Sequence, residues 1–287
     1  MKIYLFLIPL ILYLGIFLIY PLVYNILLSL NNVNLINYAT NTYTFSGFYN
    51  YINIIKDPNF WLSFENTIIF LILSLVFQFT IGFILALVFY KPFKLRNILQ
   101  TLVMIPWFIP TMASMSFFKW SFGDTGLFNS ILMSIGTIHE HIPWLTSTNL
   151  PIYATIIANI WLGIPFNYIL LYTGLQTIPS ELFDSARVDG ANWFQTLLYV
   201  TIPTLRSTII VILMLGTIFT VKAFDPIWII TGGGPANASQ TFSTLSYSYA
   251  FQNGNFGLSS TIIIFMLIFV AILVTFFEFL NIRGDKK

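Results

Sequence analysis

Two stretches of this chain, residues 3–55 and 226–277, contain no aspartate, glutamate, lysine or arginine. Runs of that length cannot cover a water-soluble fold, because they would leave large apolar patches against solvent. Lipid is the environment that suits them. The whole composition agrees: 57% of the 287 residues are hydrophobic, 8% are charged, and the mean hydropathy is +0.83. About 20 apolar residues, at ~1.5 Å each, cross a bilayer core. Six segments qualify, at roughly 4–28, 66–90, 98–119, 152–174, 207–228 and 259–280. In lipid every backbone N–H and C=O must be satisfied internally, and a single long apolar segment does so only as a helix. The expectation is an all-α, polytopic membrane protein with six transmembrane helices. It forms a single transmembrane domain over residues 1–287, with core spans at about 66–280. Met1-Lys2 and the apolar run behind it lack a small-x-small cleavage site, so that run reads as a retained first span.

Several functions are excluded at this level. With no cysteine there is no disulfide, thiolate nucleophile or Cys-based metal site. A formal charge of +2 argues against nucleic acid as a partner. His139-Glu140-His141 alternate in a short loop without a third clear ligand, so no metal is expected there. Gly232-Gly233-Gly234-Pro235 is not followed by Lys-Ser/Thr and reads as a backbone turn, not a phosphate loop. Asn237-Ala238-Ser239 is a glycosylation triplet that arises readily by chance. No nucleophile, base and orienting acid occur together, so no catalytic residue and no cofactor are expected.

The cations orient the chain. Lys2, Lys91, Lys94, Arg96, Arg187, Arg206, Arg283, Lys286 and Lys287 fall on one side of the six spans; Lys56, Lys119 and Lys222 fall on or toward the other. Positive residues favour the cytoplasmic side. Both termini and the polar segment 179–206 are therefore expected inside, in a multi-pass protein of the plasma or inner membrane.

That segment carries the most distinctive pattern. Pro179 ends a helix, Ser180 is a candidate N-cap, and Glu181 and Asp184 suit the positive first turn. Asp189-Gly190 signals a turn. Trp193, Phe194, Leu197 and Leu198 then form an apolar stripe at helical spacing before Pro203. The prediction is helix, sharp turn, helix.

Two spans contain breakers. Pro106 and Pro110 are expected to break the third, Gly163 and Pro165 the fourth. Freed backbone groups at such points are tolerated where they face protein or a wet cavity. Aromatics (Trp107, Trp161, Phe166) stand there beside small polar groups (Thr111, Asn159), a mixture able to stack on a sugar ring and pair with its hydroxyls. Helix kinks without a ligand explain the same residues. Lys222 and Asp225, late in the fifth span, read equally as a pair reaching for the outer surface or as cavity charges, with Asp225 pairing with hydroxyls.

The segment Asp184-Ser185-Ala186, three residues, Gly190, nine residues, Val200-x-Ile202-Pro203 resembles the cytoplasmic loop motif of membrane permeases from binding-protein-dependent ABC importers. Asp184 and Ser185 stand where the family has Glu and Ala, and Ser207 where proline is common. The resemblance extends along the chain. Asp57-Pro58-Asn59-Phe60-Trp61, Ile105 to Pro110, Asn159 to Phe166, Thr231 to Pro235 and Phe256 to Ser259 are similar to the sugar-transporting branch, which includes the larger maltose permease and the first glycerol-3-phosphate and oligosaccharide permeases. It implies a type I ABC importer permease fold, and a first short helix that docks on an ATPase subunit through Glu181, Asp184, Ser185, Ala186, Asp189, Gly190, Ala191 and Pro203. It also implies a sugar site lined by Trp107, Thr111, Asn159, Trp161, Leu162, Gly163 and Phe166, continued by the stretch from Thr220 to Phe224, with Asp225 just beyond. The implied partners are a second permease in a heterodimer, two ATPase subunits that hydrolyse the ATP, an extracytoplasmic solute-binding protein and membrane lipid. A non-sugar solute (a glycerol phosphodiester, polyamine or amino acid) remains an alternative. So, from another class, does a six-span channel or membrane enzyme, although neither a filter-like polar run nor buried acid–base groups appear.

Overall fold

The computed structural model describes residues 2–284; Lys286 and Lys287, counted above among the orienting cations, lie outside them. The chain divides into two compact units, residues 1–64 with 241–269, and residues 65–240 with 270–287.

In the first unit, α1 (Leu7–Ser29) is almost entirely exposed along its apolar length. A two-stranded ribbon follows, β1 (Asn31–Asn32) antiparallel to β2 (Thr44–Phe45), with α2 (Leu35–Ala39) in between and α3 (Tyr49–Lys56) after it. The buried Asn50 amide donates to the carbonyls of Ser29 (2.9 Å) and Asn31 (2.8 Å), fixing where the ribbon leaves α1. Phe60 stacks on Phe242 at 5.2 Å in a small core with Ile54, Leu245 and Ile262. The Tyr249 hydroxyl donates to Asp57; burial, then this carboxylate, push it well above the ordinary phenol value.

α4 (Pro58–Tyr90) starts where its sequence dictates: Asp57 accepts the Asn59 N–H at 2.9 Å, and Pro58 at the first position has no N–H to waste. Its hydropathy, like that of α1, α9 (Pro151–Gln176) and the last helix (Phe256–Ile282 of its length), suits a span without help. The third expected span is instead three helices, α5 (Arg96–Val103), α6 (Ile105–Phe108) and α7 (Thr111–Ser121). Both prolines act there: Pro106 stands at the start of α6, and Ile109, preceding Pro110, is pushed to an extended ψ of 131°. α8 (Leu127–Ser134) follows on the way to α9.

The fourth span corrects an expectation. α9 runs unbroken through Gly163 and Pro165. Proline removes the rung to the Trp161 carbonyl, and the packed helix continues through the loss; close by, Gln78 Nε2 of α4 donates to the Asn159 carbonyl at 2.8 Å. Gly163 gives up its side-chain volume to Gln78, since a Cβ there would overlap the carboxamide.

Beyond α9 come α10 (Ser180–Val188) and α11 (Trp193–Thr204), the latter widened midway by a π-turn at Leu197–Thr201. A 69° bend leads into α12 (Arg206–Val221), and α13 (Asp225–Ile230) packs against α7. The fifth expected span is thus interrupted at 222–224, ahead of Pro226. α14 (Phe242–Tyr247) and α15 (Phe256–Gly284) complete the order. The second unit's main core joins Ala86 and Phe89 of α4, Tyr168, Leu171 and Leu175 of α9, and Leu205 and Ile212 around the bend.

Candidate functional site

A cavity of about 580 Å³ opens where α6, α7, α9, α12 and α13 meet the middle of α4. Trp107, Thr111, Asn159, Leu162, Gly163, Phe166, Thr220 and Asp225 all line it. Helix phase explains the set from α9: positions 159, 162, 163 and 166 recur at i, i+3, i+4 and i+7 and share one face. Trp161 does not. Two residues from Asn159, it turns into the cluster of Met115, Phe118, Ala154 and Ala158, edge-on to Phe118 at 5.6 Å. The expectation that it faces the cavity is corrected on that geometry.

The walls combine rings (Trp107, Phe166, Phe219, Phe224) with hydrogen-bonding groups (Gln78, Thr111, Asn159, Thr220, Asp225). Phe166 stands edge-on to Phe219 at 5.4 Å. Asn159 donates to Ser74 Oγ at 3.0 Å, so its amide is held from α4. Lys222 and Asp225 are both exposed on the cavity wall and form no ion pair, among the described residues, with each other or with any other group. The helix breaks between them. Lys222 Nζ lies instead over the Phe219 ring, 4.9 Å from its centroid.

Lys222 lines the cavity, one of the two readings the sequence left open, whereas sequence reasoning missed Gln78, Gly216, Phe219 and Pro226. For Gln78 a signal existed, since a lone amide in the middle of an apolar span is costly unless it has work to do. Gly216 carries no such sign. Its place is set by packing, since a Cβ there would press on Leu75 at 2.7 Å.

The segment 179–206 is built as helix, turn, helix. Its cap lies one residue earlier than predicted: Pro179 holds the N-cap geometry, Ser180 is the first helical residue and makes no cap bond, and only Glu181 of the two acids is in the first turn. Asp184 pairs within the helix with Arg187 at 3.2 Å, an exposed pair of little energetic weight. The turn is a Schellman motif. Ala191 N–H reaches the Ala186 carbonyl (2.9 Å), Gly190 N–H reaches Arg187 (3.2 Å), and Gly190 has φ +75°. Open space surrounds the missing Cβ, so backbone conformation alone requires the glycine. The next helix is opened by a reciprocal capping box of Asn192 and Gln195 that sequence reading overlooked.

Of the eight residues assigned to this segment, Glu181, Asp184, Ser185, Asp189, Gly190 and Pro203 are exposed, Ala191 is half-buried and Ala186 is buried. Ser185 therefore offers a small outward surface, while Ala186 packs inward. Of the apolar stripe, Trp193 (61% exposed), Phe194 (59%) and Leu198 (41%) face outward while Leu197 is half-buried; Val188 and Tyr199 beside it are exposed as well. Behind α10 a second cavity of about 450 Å³ is lined by Phe183, Asp184, Ala191, Trp193 and the end of α4.

The loop at Thr231–Ser239 is a turn, as expected. Gly232 and Gly233 take positive φ, Ser239 Oγ donates to Thr231 Oγ1 at 2.7 Å, and Asn66 Nδ2 donates to the Ala238 carbonyl at 3.2 Å. Among the described residues no group of three acidic or histidine side chains is placed to hold a metal.

Residues 78–283 match the family model described as "Binding-protein-dependent transport system inner membrane component". The chain is 34% identical over 227 residues to the trehalose/maltose transport system permease protein MalF of Thermococcus litoralis, covering 79% of this chain and 76% of that one. It is 31% identical to the lactose transport system permease protein LacF of Rhizobium radiobacter, covering 99% and 94%. In fold it is similar to a chain of a bacterial alginate ABC transporter solved in complex with alginate pentasaccharide-bound periplasmic protein, with a TM-score of 0.83, 24% identity and coverage of 98% and 94%. The bent, interrupted helices are thus those of a type I ABC importer permease fold. The family model takes in most of the chain, and the chain belongs to the inner membrane components of binding-protein-dependent transport systems, a permease subunit of an ABC importer and not an enzyme.

Proposed function

We propose that this permease carries a sugar or sugar-like solute by alternating access, through the cavity between Trp107 and Asp225. The observation that carries the reading is the lining itself. Rings able to stack on a pyranose face stand beside Gln78, Asn159, Thr220 and an unpaired Asp225, groups that pair with hydroxyls. The relatives whose names state trehalose/maltose and lactose transport support it.

The chain acts as one permease domain, with both termini and residues 179–206 in the cytoplasm. It pairs with a second, related permease, two ATPase subunits and an extracytoplasmic binding protein. The exposed outer face of α10 and its glycine turn meet the ATPase, which moves the segment when it closes on ATP. The 69° bend at Leu205, seated in the core beside Leu171 and Leu175, passes that movement to α12 and so to the cavity wall.

The test is uptake into proteoliposomes holding the whole assembly. ATP-dependent accumulation of radiolabelled trehalose, maltose or lactose is expected, and Asp225→Asn should slow it about ten-fold, the cost of one charge-assisted hydrogen bond. Accumulation of an amino acid with none of these sugars would sink the sugar assignment.

A further inference from the structure

The geometry points to Gln78 as a residue that sets solute selectivity, brought into the cavity by a glycine on the facing helix. This rests on the sugar-cavity reading above and goes beyond it, because Gln78 lies on α4, a helix that the sequence did not assign to the cavity.

Gln78 is 5% exposed in the middle of a 33-residue apolar helix. A buried carboxamide has two N–H donors and an acceptor oxygen to satisfy. Among the described residues it makes one hydrogen bond to protein, from Nε2 to the Asn159 carbonyl. Its Oε1 has no protein partner, yet it is not among the oxygens sealed from solvent without one. The cavity is what it faces.

The position is built. Gly163 makes room for the carboxamide where it stands, since a Cβ there would overlap Cδ, Nε2 and Oε1 together. The contact is answered one turn on, where a Cβ on Gly82 of α4 would meet Asn167 Cβ at 2.6 Å. Gly163 thus makes room for the Gln78 carboxamide, while Gly82 lets the two helices approach closely at the Asn167 backbone, which fixes the register of the interface. An amide held from one side, with a free acceptor toward a wet cavity, discriminates between a solute that presents a hydroxyl there and one that does not.

The experiment compares maximal uptake rates of maltose and a set of its monodeoxy analogues, by the complete assembly in proteoliposomes with saturating binding protein. The binding protein is the same throughout, so its own preference cancels between permease variants. The unaltered permease should move at least one analogue about ten-fold more slowly than maltose. Gln78→Met, which keeps the length and loses the amide, should bring that ratio within about two-fold by slowing maltose. Should Gln78→Met fail to assemble, Gln78→Asn withdraws the amide by one methylene and reads the same ratio. A purely structural Gln78 would slow all analogues equally, and unchanged ratios in the assembled variant overturn the proposal. Asp225→Asn and Phe166→Ala separate this from the parent reading. If they alter uptake while Gln78 variants leave the ratios intact, the cavity stands and the role of Gln78 falls. The same comparison is made on trehalose or lactose if one of these is the sugar accumulated; if the unaltered assembly takes up none of the three, the sugar reading falls and this inference with it.

Discussion

Glycine at 190 and glycine at 163 do opposite jobs, and a residue-level test separates them. Gly190 lies in the left-handed region with open space around it, so any L side chain fits but strains the backbone. Gly190→Ala should cost about 1 kcal/mol locally, and Gly190→Asn less, because asparagine tolerates that conformation. The measurement is sugar accumulated per ATP hydrolysed, which should fall in the order Gly, Asn, Ala, Val; equal ratios across the series would remove the turn from the coupling account. Gly163, by contrast, is helical, and its constraint is the Gln78 carboxamide. The glycine, its neighbours and the spacing to Pro203 could be read from the sequence. The capping box at Asn192 could have been read as well, since Asn three residues before Gln is its signature. Trp161 was misplaced although helical phase already argued against it: two positions from Asn159, it had to face elsewhere.

Elements were legible where chemistry is local. Asp57-Pro58 opens α4 and Ile109-Pro110 splits the third span, whereas the gap at 222–224 ahead of Pro226 interrupts a fifth span expected to be continuous. Pro165 was not legible, because whether a proline breaks a helix depends on what neighbouring helices donate. The α4–α9 contact supplies the element-scale prediction. Gly82→Ala puts a methyl 2.6 Å from Asn167 Cβ and 2.9 Å from the Tyr168 backbone nitrogen, where nothing flexible can yield. It should destabilise the helix pair by about 1–3 kcal/mol, read as faster thermal inactivation of the purified assembly in detergent. Gly15→Ala in α1, with nothing within 4 Å of the new methyl, is the matched control and should be neutral or slightly stabilising. Equal inactivation of the two variants would show that the close approach at Gly82 is not real.

For the whole molecule the testable property is sidedness. The chain has no cysteine, so a single introduced thiol is its only one. Glu140→Cys, in the loop before α9, should react with a membrane-impermeant maleimide on intact cells; Lys94→Cys, in the exposed turn after α4, should react only after permeabilisation. The reverse pattern would place the coupling segment outside and end the import reading. Sequence alone determined that the chain lives in lipid, is helical, breaks its third span at Pro106 and Pro110 and carries a helix–turn–helix at 179–206, because hydropathy, proline geometry and short-range spacing are local properties. Only the tertiary structure decided that Gln78 enters the cavity, that Trp161 leaves it, that Lys222 and Asp225 stay apart and that α9 survives its proline. Each of these depends on which face of one helix meets another, and no local pattern encodes that choice.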